Sequence, residues 1–217
     1  MVDYIVIGAG SAGCVIANRL TEDPGKQVLL IEAGGSDRHP LIQIPGGYGN
    51  IHHSHLDWGY FTEPQEFVDN RRMYQPRGKV LGGSSSTNAM AYIRGHAEDY
   101  NLWEKLGATG WNYQSLLPYF KKSENNLQIQ NEFHGTGGPL TVSYATGFET
   151  PLSKAFVKAC VQSGIPENQD PNGANQEGAG RFQFTIKNGV RQSTAAAFLT
   201  PILNERNNLK VITKAIV

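Results

Sequence analysis

Three glycines and one carboxylate have the types and the spacing to hold a dinucleotide. Gly8-Ala9-Gly10-Ser11-Ala12-Gly13 follows Tyr4-Ile5-Val6-Ile7, and Glu32 closes the next apolar run, Val28-Leu29-Leu30-Ile31. Gly8 must turn tightly out of a strand, Gly10 must let a pyrophosphate approach the backbone, and Gly13 must let the following helix pack close to the sheet. The N-terminus of that helix, at Ser11 and Ala12, offers phosphate its free N–H groups and the positive end of the aligned peptide dipoles. Glu32 stands nineteen positions beyond Gly13, where a carboxylate accepts both hydroxyls of an adenosine ribose and repels a 2′-phosphate. A glycine motif alone is a weak signal. Here the strand before it, the helix after it and the acidic end of the second strand agree, so a dinucleotide without a 2′-phosphate is expected; this motif does not separate FAD from NAD.

The elements that must position these residues are strands at Tyr4–Ile7 and Val28–Ile31 and a helix from about Ser11, with Ala12, Val15, Ile16 and Leu20 as its apolar face. The fold class that follows is α/β, a Rossmann-like domain around a parallel sheet. Gly34 to Asp57 is rich in Gly, Pro and His, shows no sustained period, and reads as a long loop. Its His52, His53 and His55 lack a Cys or carboxylate at a metal-ligand spacing, so no metal is assigned.

A second glycine block, Arg77-Gly78-Lys79-Val80-Leu81-Gly82-Gly83-Ser84-Ser85-Ser86-Thr87-Asn88-Ala89-Met90, permits positive φ and close backbone approach at Gly82 and Gly83. Ser84 to Asn88 can cap a helix and offer hydroxyl, amide and N–H groups to a polar ligand.

Further helices are expected at about Ala97–Leu106, from Tyr113 to Ser123 behind an Asn112 cap, and from Pro151 behind Thr150. In the last of these, Leu152, Ala155, Phe156, Ala159 and Cys160 fall on one stripe and read as core. Asp170-Pro171-Asn172-Gly173 is a turn without the alternating ligands of a calcium loop. Phe182, Phe184 and Ile186 alternate as a strand with one buried face, Ser193–Leu203 reads as a helix cut short by Pro201, and Leu209–Thr213 as a strand.

With 19 basic and 19 acidic residues and no long run of either sign, nothing argues for nucleic acid or an anionic membrane surface; a small-molecule ligand is expected. Cys14 and Cys160 are too few for a disulfide framework and read as small buried groups. No stretch approaches the roughly 20 apolar residues of a membrane span, and the early strand leaves no room for a secretory signal. A cytoplasmic location follows, compatible with peripheral association at the inner membrane. The length suits one domain, or one with an insertion.

These residues resemble the glucose-methanol-choline (GMC) family of FAD-dependent oxidoreductases along the whole chain. The resemblance rests on the Asp3-to-Glu32 unit with Ala33-Gly34-Gly35, on the second glycine block, and on Tyr92-Ile93-Arg94-Gly95-His96 through Glu98-Asp99-Tyr100. Weaker echoes follow at Gly110-Trp111, His134-Gly135, Gly138-Pro139-Leu140 and Arg191-Gln192-Ser193. Within the family it is nearest to the choline dehydrogenase and alkanol dehydrogenase branch. The resemblance implies oxidation of a primary alcohol to an aldehyde, with hydride passing to FAD. It implies that Gly8, Gly10, Ser11 and Gly13 hold the pyrophosphate, that Glu32, with Ala33 beside it, holds the adenosine ribose, and that Val217 offers backbone groups to the adenine. Val80, Gly83, Ser84, Asn88, Ala89, Met90 and Ala91 would line the flavin and its ribityl chain.

Thr87 stands where members that bind flavin covalently carry His, so FAD is expected to be non-covalent. The family's catalytic His lies near the end of a much longer chain, and no catalytic residue is assigned here; His96 reads as a surface or helix-start residue. The expectation is an N-terminal FAD-binding portion, inactive alone, that associates with itself or a complementary C-terminal part. Residues 1–95 would be the first part of the FAD domain, 96–190 an insertion toward the flavin and substrate side, and 191–217 the return, with the C-terminal substrate domain absent. A stand-alone nucleotide-binding module and an NAD-dependent dehydrogenase are the competing readings.

Overall fold

The computed structural model describes residues 1–145 and 150–217. They form two compact units, one of residues 1–90 with 189–217 and the other of residues 91–188.

In the first unit, β1 (Tyr4–Ile7), helix α1 (Ser11–Leu20) and β2 (Val28–Ile31) form a strand–helix–strand unit, and a returning strand, Leu209–Ile212, joins the far side of β2. All three strands run parallel, with Tyr4 and Leu209 both in register with Val28. Val28 and Leu30 point into the core, whereas Ile5 and Ile7 of the edge strand β1 are 60% and 65% exposed.

Helix α1 turns a different face inward from the one its large apolar residues define. Gly13, Cys14, Ala17 and Asn18 are buried, while Ala12 and Ile16 are exposed. The cause is close approach: a Cβ at Gly13 would lie 1.9 Å from the Gly8 carbonyl oxygen, so the helix meets the sheet through its small residues. Burial raises the Cys14 thiol to about 11, leaving it protonated and inert at neutral pH.

The segment read as one long loop is partly ordered into a short helix α2 (Pro40–Gln43) and a 3-10 turn (Pro45–Asn50). The His39 ring caps α2 by accepting from the Leu41 N–H, and Pro40 pre-sets the first turn. Ile42, Ile51, Leu56 and Val80 then pack as a cluster. Four single apolar residues with no common period were enough to anchor it. The expected helix at Ser193–Leu203 is instead a π-helical turn, Ala195–Leu199, running into a 3-10 turn, Thr200–Ile202, where Pro201 supplies no N–H.

In the second unit, α3 (Ala97–Lys105), α4 (Tyr113–Ser123) and α5 (Pro151–Gln162) accompany two small sheets, Ala91–Tyr92 with Gln183–Phe184 and Glu124–Asn126 with Leu140–Val142. Helix α5 forms where expected, capped by Thr150. Its apolar stripe is not core: Leu152 is 78% and Phe156 69% exposed, because helical spacing defines a face and not what covers it. In the Phe182 alternation only Phe182 is exposed, Phe184 and Ile186 being half-buried, and it is Gln183 that is fully inside, exchanging two amide hydrogen bonds with Asn126.

The interior of this unit is polar. Glu124 is fully buried and accepts from Arg94 Nη2 at 2.7 Å, from the Gly135 N–H and from Asn126. His134 stands between Glu124 and Asp170, 2.9 Å from each. Among the described residues no helix is long and apolar enough to cross a membrane.

Candidate dinucleotide-binding site

The two glycine blocks meet in the first unit. The Gly82 N–H donates to the Ala9 carbonyl at 2.7 Å, and the Leu81 N–H donates to the Gly35 carbonyl at 3.0 Å. Gly83, at φ +52°, sits so close that a Cβ on it would lie 2.8 Å from Gly10 Cα. A side chain at Gly83 would prise the blocks apart.

Together they wall a cleft of about 580 Å³, within the range of small-molecule and cofactor sites. Gly8, Gly10, Ser11, Glu32, Ala33, Gly83, Ser84 and Val217 line it. Gly8 turns out of β1 at φ +89°, a conformation L side chains rarely adopt, and its N–H donates to the Ile31 carbonyl at 2.7 Å. Gly10 has ordinary extended angles, φ −74° and ψ −164°, and a Cβ there would meet no atom within 4 Å. That empty space lies against the start of α1, whose first-turn N–H groups have no acceptor within the helix. No neighbour within the described residues requires a glycine at this position, and an anionic phosphate would suit the donors beside it.

Glu32 is 6% exposed and has a second task that the motif does not announce. Its Oε2 accepts from the Ala9 N–H and its Oε1 from the Gly34 N–H, both at 2.8 Å, tying the loop after β1 to the loop after β2. Each oxygen keeps a second lone-pair site for a ribose hydroxyl.

Trp58, Tyr60 and Arg77 also line the cleft and were missed in the sequence. The Trp58 and Tyr60 rings stack 5.6 Å apart, and the Lys79 ammonium sits 4.7 Å from the Trp58 ring centre. The Asp57 carboxylate holds this wall by accepting from the Arg77 N–H at 2.9 Å and from the Tyr74 hydroxyl. A period of two in Trp58 and Tyr60 was the available signal.

The remaining expected residues do not line the cleft. Ala12 is exposed on the first turn of α1, and Gly13 is buried beneath it. The Val80 side chain is fully buried with Ile42, Ile51 and Leu56. Asn88 and Ala89 are exposed at the far end of the second block, Met90 is buried with φ +63°, and Ala91 belongs to a strand of the second unit. His96 caps α3, its ring accepting from the Glu98 N–H while Asp99 accepts from its own N–H.

The family described as GMC oxidoreductase matches residues 2–217. The chain belongs to that family. This GMC oxidoreductase chain is 49% identical to an alcohol dehydrogenase [acceptor] of Pseudomonas putida, over 99% of its own length and 39% of the relative's. It is 48% identical to the mitochondrial choline dehydrogenase of Mus musculus, over 99% of its length and 37% of the relative's. Among solved structures it matches pyridoxine 4-oxidase from Mesorbium loti with a TM-score of 0.93 at 35% identity, covering 99% of this chain and 42% of that one. It also matches an Aspergillus oryzae formate oxidase, studied for FAD modification, with a TM-score of 0.85 at 28% identity, covering 98% of this chain and 38% of that one. The GMC chain thus spans well under half the length of these relatives.

Proposed function

We propose that this chain is the FAD-binding portion of an oxidoreductase that converts a primary alcohol, choline or an alkanol, to its aldehyde. The observation that carries the reading is the pair of glycine blocks latched around one cleft with Glu32 at its edge. A nicotinamide site needs only the first block. Relatives named for choline and for alcohols, and a structural neighbour studied for its FAD modification, support the same choice.

In this reading the N–H groups at the start of α1, beside Gly8, Gly10 and Ser11, take the pyrophosphate. Glu32 accepts the adenosine ribose hydroxyls, with Ala33 beside it, and the Val217 backbone meets the adenine. Gly83 and Ser84 continue the wall toward Asn88, Ala89 and Met90, which serve the flavin end. Bound FAD supplies the hydride acceptor. Thr87 is 94% buried and its side chain is no nucleophile toward flavin, so FAD is held without a covalent bond. No base is assigned within the described residues, because the one cleft-lining carboxylate, Glu32, is committed to two backbone donors.

The exposed Ile5 and Ile7 on the edge strand β1 offer a template for another strand, and we extend the proposal to association with a complementary part or a second copy. A cytoplasmic location is part of the proposal, in keeping with Cys14 and Cys160 being free thiols.

Titration of the protein with FAD and, separately, with NAD, followed by quenching of tryptophan emission, tests the cofactor choice through Trp58 in the cleft wall. Saturable quenching by FAD alone is expected. Quenching by NAD alone would overturn the reading, and flavin that stays with acid-precipitated protein would overturn its non-covalent part.

A further inference from the structure

Arg191 is 2% exposed and holds three separate stretches of the first unit together. Its Nε donates to the Ile42 carbonyl at 2.9 Å, and its Nη1 donates to the Ser85 carbonyl at 3.2 Å and to Asn88 Oδ1 at 2.8 Å. Its Nη2 is buried and has no hydrogen-bond partner. A buried cation ordinarily stands beside a carboxylate. Among the described residues no ion pair to Arg191 is present, and burial, the one influence on its ionisation, brings it down only to about 10. At neutral pH the guanidinium is charged, and its field falls on the few neutral acceptors it touches.

Asn88 is one of these and the only side chain among them. Its Oδ1 accepts from Arg191 Nη1 and also from the Met90 N–H at 3.0 Å. Both partners can only donate, so the atom facing them must be the amide oxygen, and the amide nitrogen must face the other way. Asn88 is exposed, and its nitrogen donates to no described residue. A cation on the carbonyl end of an amide draws electron density from the nitrogen and makes its N–H groups stronger donors. Asn88 also sits at the end of the turn opened by the cleft-lining Gly83 and Ser84, its own N–H donating to the Ser84 carbonyl at 2.9 Å.

We infer that Arg191 is a positioning residue: it fixes the Asn88 amide so that the nitrogen is presented outward, as a preset and polarised donor to an acceptor atom at the flavin end of bound FAD. The inference rests on the reading of the cleft as an FAD site. Toward FAD, Arg191 acts through Asn88 alone, while its bonds to the Ile42 and Ser85 carbonyls fix where the guanidinium stands.

The test is a double-mutant cycle on FAD affinity, with unfolding of each cofactor-free protein measured in parallel, in protein made from its complete open reading frame. Arg191→Lys is expected to weaken FAD by about tenfold, the scale of one charge-assisted hydrogen bond, when Asn88 is present, and by less than about twofold in the Asn88→Ala background. Equal losses in both backgrounds would make Arg191 a staple only and overturn the inference. Asn88→Asp separates the roles without disturbing the fold, since it gives Arg191 a counter-ion but replaces the outward donor with an acceptor. It should leave the cofactor-free protein at least as stable and still weaken FAD by about tenfold or more; undiminished affinity would overturn the inference. Wild-type protein that binds no FAD would defeat the cofactor reading itself, which distinguishes the two failures.

Discussion

Gly10 and Gly13 stand three residues apart in one motif, yet the structure assigns them opposite vulnerabilities. At Gly10, alanine fits the existing φ of −74° and ψ of −164° and meets nothing within 4 Å. Fewer unfolded conformations favour it by about 0.4–1 kcal/mol. The poorer residue at the helix N-cap costs a similar few tenths to 1 kcal/mol. Gly10→Ala should therefore leave the cofactor-free protein within about 0.5 kcal/mol of the parent, the difference between those two effects. Its methyl group occupies the space where phosphate must approach, and overpacking of about 1–3 kcal/mol corresponds to a loss of roughly fivefold to 150-fold in FAD affinity.

At Gly13 the new Cβ would lie 1.9 Å from the Gly8 oxygen and 3.0 Å from the Gly8 carbonyl carbon, both backbone atoms at the β1 turn. Neither can move without moving α1 off the sheet. Gly13→Ala should cost at least about 1–3 kcal/mol of folding stability before any ligand is added. Urea unfolding of both variants without cofactor, followed by FAD titration, reads the two quantities separately. A Gly13→Ala protein as stable as the parent, or a Gly10→Ala protein that binds FAD undiminished, would refute the reasoning.

Glu32→Ala should lose both properties at once, since it strands the buried Ala9 and Gly34 N–H groups at about 1–3 kcal/mol each and removes the ribose acceptors. Unchanged urea stability would show that the carboxylate does not tie the two loops. For His134, burial alone would lower the pKa, but hydrogen bonds to Glu124 and Asp170 outweigh it and raise the value above 6.5. A raised folded-state value contributes stability that is complete below pH about 6.5 and is lost as pH rises through the folded pKa. The parent should thus lose stability on that alkaline limb and His134→Gln should not; parallel pH profiles for the two proteins would contradict this. Phe156→Ser on the exposed stripe of α5 should change the stability of this chain by less than about 0.5 kcal/mol, and a large loss in thermal unfolding would show that the stripe is covered.

What was legible in the sequence is what backbone geometry alone demands. Gly8 needs positive φ, Gly13 needs the absence of a Cβ, and both requirements are written as residue type and spacing. The edges of β1, β2, α3 and α4 were legible for the same local reasons of period and capping. What escaped depends on partners far away in the chain. Arg94, Glu124, His134 and Asp170 assemble a buried ionic group from four separate segments, with no local pattern to announce it. The aromatic wall of Trp58 and Tyr60 is held by a carboxylate and a short ribbon, Tyr60–Phe61 against Tyr74–Gln75, of only two residues per strand. The resemblance made Val80 a cofactor contact, but its side chain is an apolar anchor of the second block, packed against Ile42, Ile51 and Leu56, which lie far from it in the chain. Leu152 and Phe156 show the converse, a clear helical period whose face lies open.

The central claim is that the two latched glycine blocks form one FAD site, and a crystal structure of the protein grown with FAD tests it most directly. The expected result is a single FAD with its pyrophosphate against Gly10 and Ser11, its adenosine ribose on Glu32 and its flavin end toward Asn88. FAD bound elsewhere in the molecule, or a cleft that stays empty at saturating FAD, would contradict it.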